Sequence, residues 1–375
     1  MFDLGVRHRE VQEAARAVAA AVEEFAGEAD ESTSVHAGVL EALRAGGLAR
    51  HVVPAAFGGE SETLDPLTIA VIREALMYSS AHLDSLFGMQ GVGSYPLAAG
   101  GSDELRRAWL PRVAALEAIA GLALTEPDVG SDLRAVTTMI ESVPGGLRVT
   151  GRKSFITNGG AAGFYCVLGR EGDGHSMVLV PADAPGLGIT RGRDLIAPHI
   201  LGELEFDGVV VPEGNRLGAP RKAFSLMLAT LAVFRVSVAG SAVGLAQAAL
   251  DEALRHATVR EQFGAPLIAL GAVSQNVALS WTEIESARAL TYRAAALAGS
   301  DPLGRLDLSS IAKVGATEAA GRVVDRSVQV MGRFGLVRGS KIERLYRNAR
   351  PLRVYEGATE VLLDSLARRL AKGAS

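Results

Sequence analysis

The chain has 375 residues, of which 48% are apolar and 21% charged, and its formal net charge is −4. This composition is typical of a globular protein with enough apolar surface for two or three packed domains. The slightly acidic balance argues against general nucleic-acid binding, which needs a basic field, and against attachment to an anionic membrane. The only cysteine, Cys166, lies in an apolar run and is predicted to be a core residue, so we expect no disulfide and a cytoplasmic location.

Residues 1–118 are predicted to form an N-terminal helical domain. Apolar residues recur at spacings of three and four near the start of the chain, which places them on one face of a helix. This stripe consists of Val11, Ala15, Val18, Val22 and Phe25. Further helices are expected at 36–45, which ends at a pair of glycines, and at 66–78, 79–89 and 103–116.

Residues 119–215 change from a helical period to short β-rich runs and are predicted to form a β domain. The runs are 147–150, 164–168, 176–180 and 202–211, with glycine and proline between them. Several short strands at such spacing favour a small antiparallel barrel or sandwich.

Residues 216–375 return to long helical patterns, and we predict a C-terminal four-helix bundle. One apolar stripe runs from Val243 to Ala257, a second from Val273 to Ala287, and a third helix is expected at 309–331. The whole chain is therefore expected to have an α+β fold, with the β domain between two helical regions.

Several common types of catalytic or cofactor site are missing from the sequence. There is no phosphate-binding loop of the Walker type, no Gly-x-Ser-x-Gly elbow, and no metal-ligand spacing among the seven histidines and one cysteine. The stretch Gly91-Val-Gly93 is the closest approach to a dinucleotide fingerprint, but it runs into Pro96 and no strand–helix unit surrounds it. Any redox cofactor must be held in another way.

Four segments, taken in order, resemble the acyl-CoA dehydrogenase family. They are LALTEPDVGSD at 122–132, GRKSFITNGG at 151–160, REQFGAPL at 260–267 and IERLYRNARPLRVYEGATEV at 342–361. Their order and separations also match, so the resemblance covers nearly the whole chain. It implies the same helical, β and four-helix-bundle arrangement that the periodicity predicts.

The resemblance implies that the protein binds FAD. The residues implied to contact FAD are Leu122, Leu124, Thr125, Gly130, Ser131, Phe155, Thr157, Arg260, Phe263, Gln329, Gly332 and Glu360. Glycine and serine at 130–131 allow a close approach of backbone N–H groups to a pyrophosphate, and an arginine offers a planar fork of donors to phosphate. In the family a neighbouring subunit lends the residues that correspond to Arg260 and Phe263, which implies at least a dimer and usually a homotetramer.

The same resemblance assigns catalysis to Glu356. In the family this glutamate removes the α proton of an acyl thioester while a hydride leaves the β carbon for flavin N5, which yields a trans α,β double bond. A buried carboxylate has a raised pKa and can act as a base near neutral pH. Other members carry the base directly before an arginine on a bundle helix; here that position is Phe234, before Arg235, which leaves Glu356 as the candidate.

The resemblance also implies which residues contact the substrate, namely Ser131, Phe234, Arg235, Tyr355 and Gly357. The family often has Asp or Asn where this chain has Ala232, which leaves open an acyl carrier protein in place of CoA. Phe234 hints at a compact or branched acyl group, and no arginine at the start of helix 79–89 is present to pair with a second carboxylate. An electron-transfer flavoprotein is the implied acceptor. A direct oxidase and a non-catalytic flavin-binding partner subunit are the remaining alternatives.

Overall fold

The computed structural model describes residues 4–373, and its elements alternate as helices, strands and helices again. The helices are α1 (Val6–Val22), α2 (Ala26–Asp30), α3 (Ala37–Gly46), α4 (Pro66–Ser79), α5 (Ala81–Gly100), α6 (Asp103–Ala114), α7 (Ala223–Val259), α8 (Gly271–Ser300), α9 (Leu306–Met331), α10 (Lys341–Leu352) and α11 (Thr359–Gly373). The strands are β1 (Ala120–Ala123), β2 (Met139–Val143), β3 (Gly146–Thr157), β4 (Phe164–Glu171), β5 (Gly174–Pro181), β6 (Leu187–Arg191), β7 (Leu201–Val211), β8 (Arg216–Leu217), β9 (Glu261–Gln262) and β10 (Ala265–Pro266). The predicted α+β class is confirmed.

The chain folds as two compact units. The first, which we call the helical unit, comprises Met1–Glu31, Pro66–Asp84 and Arg235–Ser375; the second, the sheet unit, comprises Ser32–Asp65 and Ser85–Phe234. Each unit therefore combines segments that are distant in sequence, and α7 contributes residues to both.

An eight-stranded sheet dominates the sheet unit. Its order is β6-β7-β3-β2-β4-β5-β8, with β1 paired to β4. Most pairs are antiparallel as predicted, but β1 and β2 both run parallel to β4. Apolar side chains cover both faces: Phe164, Cys166 and Leu168 point to one core cluster, while Tyr165 and Val167 point to the other. This alternation is the two-residue period of a strand with both faces buried.

The core of the helical unit lies among α4, α7, α8, α9 and α10. α4 and α7 approach each other closely because α7 has glycine at the crossing. A Cβ at Gly240 would lie 2.3 Å from the Ala70 carbonyl oxygen, and one at Gly244 would lie 2.0 Å from the Glu74 carbonyl oxygen. No side chain fits at such distances, so these two glycines set the separation of the two helices.

The ends of α1 and α5 differ from the sequence prediction. The apolar stripe that begins at Val11 continues to Phe25, but α1 ends at Val22 and Phe25 lies at the start of α2. Helix 79–89 was predicted too short: α5 continues through Gly91 and Gly93 to Gly100 and contains Pro96. Close packing explains why glycine stands there, since a Cβ at Gly93 would lie 2.9 Å from the Ala120 backbone.

Among residues 4–373 one helix, α7, is long and apolar enough to cross a membrane by length and composition alone. Its most apolar window of 18 residues has a mean hydropathy of 1.8, and 83% of that window is buried inside the protein. Such burial is what a core helix requires, and it accounts for the composition.

Candidate active site

Glu356 lies in the turn between α10 and α11, in the helical unit. Its backbone φ is +56°, and that of Gly357 is +105°. A left-handed glutamate is uncommon and costs of order 1 kcal/mol or more, so the surrounding structure must hold it. The glutamate is half-buried as a residue, but its Oε2 has essentially no exposed surface and no hydrogen-bond partner among residues 4–373. Its backbone N–H likewise donates to no acceptor in that part of the chain.

Two buried cations hold the backbone of this turn through its carbonyl groups. The Arg235 Nε donates to the Glu356 carbonyl oxygen at 3.0 Å, and its Nη1 donates to the Ser310 hydroxyl at 3.0 Å. The Lys313 Nζ donates to the Gly357 carbonyl oxygen at 2.7 Å. Because both carbonyls are occupied, the side chain and the N–H of Glu356 are the groups left for a ligand.

The electrostatic surroundings of Glu356 act in opposite directions. Burial raises the pKa of its carboxyl, which favours the neutral acid, while the positive charges of Arg235, Arg73 and Lys313 lower it. The net result is a raised pKa, as general-base catalysis near neutral pH requires of a carboxylate.

Arg73 on α4 anchors a polar network next to the same turn. Its guanidinium forms a two-point ion pair with Asp84, at 2.9 and 2.7 Å, and donates to the Ser237 hydroxyl at 3.0 Å. Burial raises the pKa of the Tyr355 hydroxyl, which Arg73 opposes through its charge and a hydrogen bond, although 41% of the tyrosine surface is exposed. Tyr355 is therefore partly exposed, while its hydroxyl is influenced by the charge of Arg73.

The sheet unit presents an apolar surface at the residues that resemble flavin contacts. Phe155 on β3 is 45% exposed with a φ of +55°, next to a backbone hydrogen bond from Ser154 to the Thr125 carbonyl oxygen at 3.0 Å. Leu122 and Leu124 are partly buried and pack against an apolar cluster of the sheet unit. A strained, exposed phenylalanine on a strand fits a site that is covered by a flat ring when its ligand binds.

The pyrophosphate-binding residues implied by the resemblance are accessible. Gly130 and Ser131 are both exposed, and a Cβ built on Gly130 meets no atom within 4 Å. Thr157 has its hydroxyl 3.3 Å from the His199 Nε2. The residues present in the sheet unit therefore fit the isoalloxazine and phosphate ends of FAD.

A buried ion pair supports this surface from beneath. The Lys153 Nζ donates to the Glu126 carboxylate at 2.9 Å and to the Leu124 carbonyl oxygen at 2.8 Å. Glu126 also accepts bonds from the Thr137 N–H and hydroxyl, both at 2.7 Å, and from the Thr138 N–H at 2.9 Å. Burial raises the pKa of Glu126, but the threonine donors outweigh it and bring the pKa to about 2. The segment that carries Leu124 is thus tied to β3.

Phe234 is fully buried in the sheet unit rather than open to solvent. A Cβ at Gly91 would lie 2.3 Å from its ring, and the Tyr95 ring meets it edge to face at 5.8 Å. Glycine at 91 is therefore required by the phenylalanine. Arg235, its neighbour in sequence, is the residue that contacts the Glu356 turn.

The remaining residues of the predicted cofactor site lie on the surface of the helical unit. Arg260 and Phe263 belong to the β9–β10 hairpin, where Phe263 is 93% exposed with a φ of +56°. Arg260 lies 5.9 Å from the Phe334 ring, which brings the hairpin close to the turn that follows Gln329 and Gly332. Glu360 is exposed in the first turn of α11.

Sequence reasoning missed Arg73, Glu126, Lys153 and Lys313. All four are charged residues that are buried in the structure. A signal for two of them was present: Lys313 interrupts an otherwise small and apolar stripe of α9, and Lys153 falls at an inward position of β3. A charge at a core position requires a partner, although its identity does not follow from the period.

Comparisons with known proteins cover nearly the whole chain. The N-terminal, middle and C-terminal domain models of the acyl-CoA dehydrogenase family match residues 6–117, 121–209 and 223–371. A cyclohexane-1-carbonyl-CoA dehydrogenase of Geobacter metallireducens is 34% identical over 343 residues, which is 90% of each protein.

Two solved structures are similar to this protein in three dimensions as well. The butyryl-CoA dehydrogenase of Megasphaera elsdenii has a TM-score of 0.93 and 27% identity, over 99% of this chain and 100% of that one. A chain solved in work on the electron transferring flavoprotein of Acidaminococcus fermentans has a TM-score of 0.94 and 27% identity, over 99% of both. The protein belongs to the acyl-CoA dehydrogenase family and is an FAD-dependent oxidoreductase of acyl-CoA thioesters.

Proposed function

We propose that Glu356 is the general base of this protein's acyl-CoA dehydrogenation. The observation that carries this proposal is the unpaired, buried Oε2 of a residue whose backbone N–H is also unpaired, in a turn fixed by two cations. A buried acceptor without a partner costs about 1–3 kcal/mol, so it points to a ligand group that completes the site.

The two free groups of Glu356 suit the two halves of an enolisation. Its carboxylate removes the proton from the α carbon, and its N–H donates to the thioester carbonyl oxygen, on which negative charge develops. Bound FAD supplies the acceptor for the hydride of the β carbon at flavin N5. Arg235 and Lys313 keep the turn in place, so little reorganisation accompanies proton transfer.

The decisive test is Glu356→Gln, which removes the base and keeps the shape. We expect the purified variant to retain FAD and to bind an acyl-CoA, while bleaching of the flavin by that thioester slows by about 10² to 10⁴ or more. Glu343→Gln, on α10 and paired with Arg347, is the matched control and should bleach at the wild-type rate. Near-normal bleaching in the Glu356 variant would remove this residue from its proposed role.

We further propose a compact substrate, branched or cyclic at the α carbon. Phe234 occupies the space above Gly91 with a large buried ring, which favours a short acyl group. The start of α5 carries Ala81 and His82 and no arginine that could pair with a second carboxylate. The name of the Geobacter relative, which acts on cyclohexane-1-carbonyl-CoA, supports a ring-bearing acyl group.

Stopped-flow bleaching with a panel of thioesters tests this substrate class. Cyclohexane-1-carbonyl-CoA should reduce the flavin faster than butyryl-CoA, and glutaryl-CoA and palmitoyl-CoA should be slowest. Faster reduction by palmitoyl-CoA would contradict a compact acyl group. Faster reduction by glutaryl-CoA would contradict the lack of a partner for a second carboxylate. Failure of every CoA ester, with success of the same acyl group on a carrier protein, would favour the carrier-bound alternative.

We propose that electrons pass to an electron-transfer flavoprotein and that the protein works as a homo-oligomer, expected to be a tetramer. Electron transfer to such a flavoprotein is supported by the likeness to the Acidaminococcus chain.

The homo-oligomer is supported by large exposed apolar side chains on the helical unit, notably Phe263, Val259 and Leu336, since such surfaces mark interfaces. Light scattering of the holoprotein tests the oligomer, and peroxide release without an acceptor protein would identify an oxidase instead.

A further inference from the structure

Lys313 is a buried ammonium group in the middle of α9. It has no exposed surface and lies on the stripe of Ser309, Ala316 and Ala320 that faces the core. A lysine in such surroundings is costly unless its charge is used, because burial removes the hydration of the ammonium group.

The partner of Lys313 is a backbone carbonyl and not a carboxylate. Its Nζ donates to the Gly357 oxygen at 2.7 Å, and it forms no ion pair with an acidic side chain among residues 4–373. A lysine kept only for stability would be expected to sit against a carboxylate, as Lys153 does with Glu126. The position of Lys313 directs its charge to the turn that carries Glu356.

α9 also contacts this turn at a second point. The Glu318 carboxylate accepts bonds from the Thr359 hydroxyl and from the Arg353 Nε, both at 2.8 Å. Lys313 and Glu318 therefore hold the two sides of the left-handed pair at 356–357 from one rigid helix. Removal of Glu318 would loosen the ends of the turn, while removal of Lys313 would release the glycine next to the base and also change the local charge.

We propose that Lys313 is a positioning residue for the general base: its ammonium fixes the left-handed turn and supplies part of the positive field that keeps the Glu356 carboxylate ionised. The inference rests on the proposed function, because it assigns a role relative to that base. It concerns only this chain's own residues, so it can be tested without turnover.

The charges that face the two groups determine the sign of the expected effect. Glu356 faces Arg235 from α7, Arg73 from α4 and Lys313 from α9, all of which lower its pKa against the effect of burial. Lys313 faces Glu356, Glu318 and Glu360, which favour its ammonium form, and Arg235, which opposes it; burial is the largest effect and lowers its pKa to about 8. Loss of the lysine charge should therefore raise the pKa of Glu356.

The test is an infrared pH titration of the FAD-loaded protein without substrate. The protonated-carboxyl band of Glu356 is assigned by its loss in Glu356→Gln. In Lys313→Met we expect its midpoint to move to higher pH by about one unit, a tenfold change in proton affinity, and Lys313→Arg should restore most of it. Arg322→Met, which removes an exposed charge farther along α9, is the matched control and should leave the midpoint in place.

Lys313→Gln separates charge from position and covers a failure of the methionine variant to fold. It offers an N–H to the Gly357 oxygen but carries no charge, so it should show the same shift of the carboxyl midpoint. An unshifted midpoint in either neutral variant overturns the proposal. If instead the midpoint shifts as expected but no thioester bleaches the wild-type flavin, the proposed function fails, and only the effect of the Lys313 charge on the Glu356 carboxyl remains.

Discussion

Replacement of Glu126 by glutamine measures how much the buried Glu126–Lys153 pair contributes to the stability of the sheet unit. Glu126 accepts four hydrogen bonds, from Thr137, Thr138 and Lys153, within a buried pair whose side chains are 3% and 0% exposed. A glutamine cannot accept four donors, and it leaves the Lys153 charge without a partner. A carboxyl whose pKa falls from 4.5 to about 2 on folding contributes about 3 kcal/mol. We therefore expect Glu126→Gln to lower the free energy of unfolding by about 3 kcal/mol at pH 7.

The adjacent residue of β3 supplies the control. Arg152 pairs with Glu205 on β7 at 2.7 Å, but these side chains are 69% and 58% exposed. Exposed pairs contribute about 0–1 kcal/mol, so Glu205→Gln should change the stability very little. The two variants thus remove the same charge from neighbouring pairs that differ in burial.

Urea unfolding followed by tryptophan emission reports the change. Trp109 packs against Phe164 in the sheet unit, with 4.9 Å between ring centroids, and Trp281→Phe removes the other tryptophan of the chain. Because the folded pKa of Glu126 is depressed, its contribution should be constant above pH 4.5 and should shrink as the pH falls towards 2. A loss no larger in Glu126→Gln than in Glu205→Gln would refute the reasoning.

Two further predictions concern packing. Gly244→Ala should destabilise the protein by about 1–3 kcal/mol in urea unfolding, since its Cβ would lie 2.0 Å from the Glu74 carbonyl oxygen. Gly315→Ala on α9 has ordinary contact distances and should be neutral or stabilising by up to about 1 kcal/mol; equal losses in both would contradict the close crossing. Burial raises the pKa of the Cys166 thiol, so a thiol reagent should label it only after unfolding, and rapid labelling of the native protein would place it at the surface.

Much of the fold can be predicted from the sequence, because buried apolar residues recur at the spacing of a helix or of a strand. The helical and strand periods locate the helical, β and helical regions, and Val11 to Val22 form a buried stripe as expected. This spacing does not specify which other helix or strand an element packs against or pairs with. The parallel pairing of β1 with β4 and the union of 66–84 with the C-terminal helices are long-range contacts, for which no local signal exists.

The candidate site likewise contains residues that the sequence predicts and contacts that it does not. Motif residues such as Thr125, Phe155 and Glu356 are visible as sequence letters, and the structure shows what surrounds each of them. The left-handed backbone of Glu356 and the hold of Lys313 on its turn depend on helices that are distant in sequence. The burial of Phe234 also depends on the glycine at 91, which lies within α5.

The glycines at 240 and 244 have a consequence for the charge around Glu356. Arg73 lies on α4 between Ala70 and Glu74, the two residues whose backbones touch these glycines. The separation of α7 from the part of α4 that carries Arg73 therefore depends on two missing side chains on α7. A bulkier residue at either position would have to shift α4, and Arg73 on α4 is one of the charges that lower the pKa of Glu356. The charge around Glu356 is thus linked to helix packing at a crossing on α7.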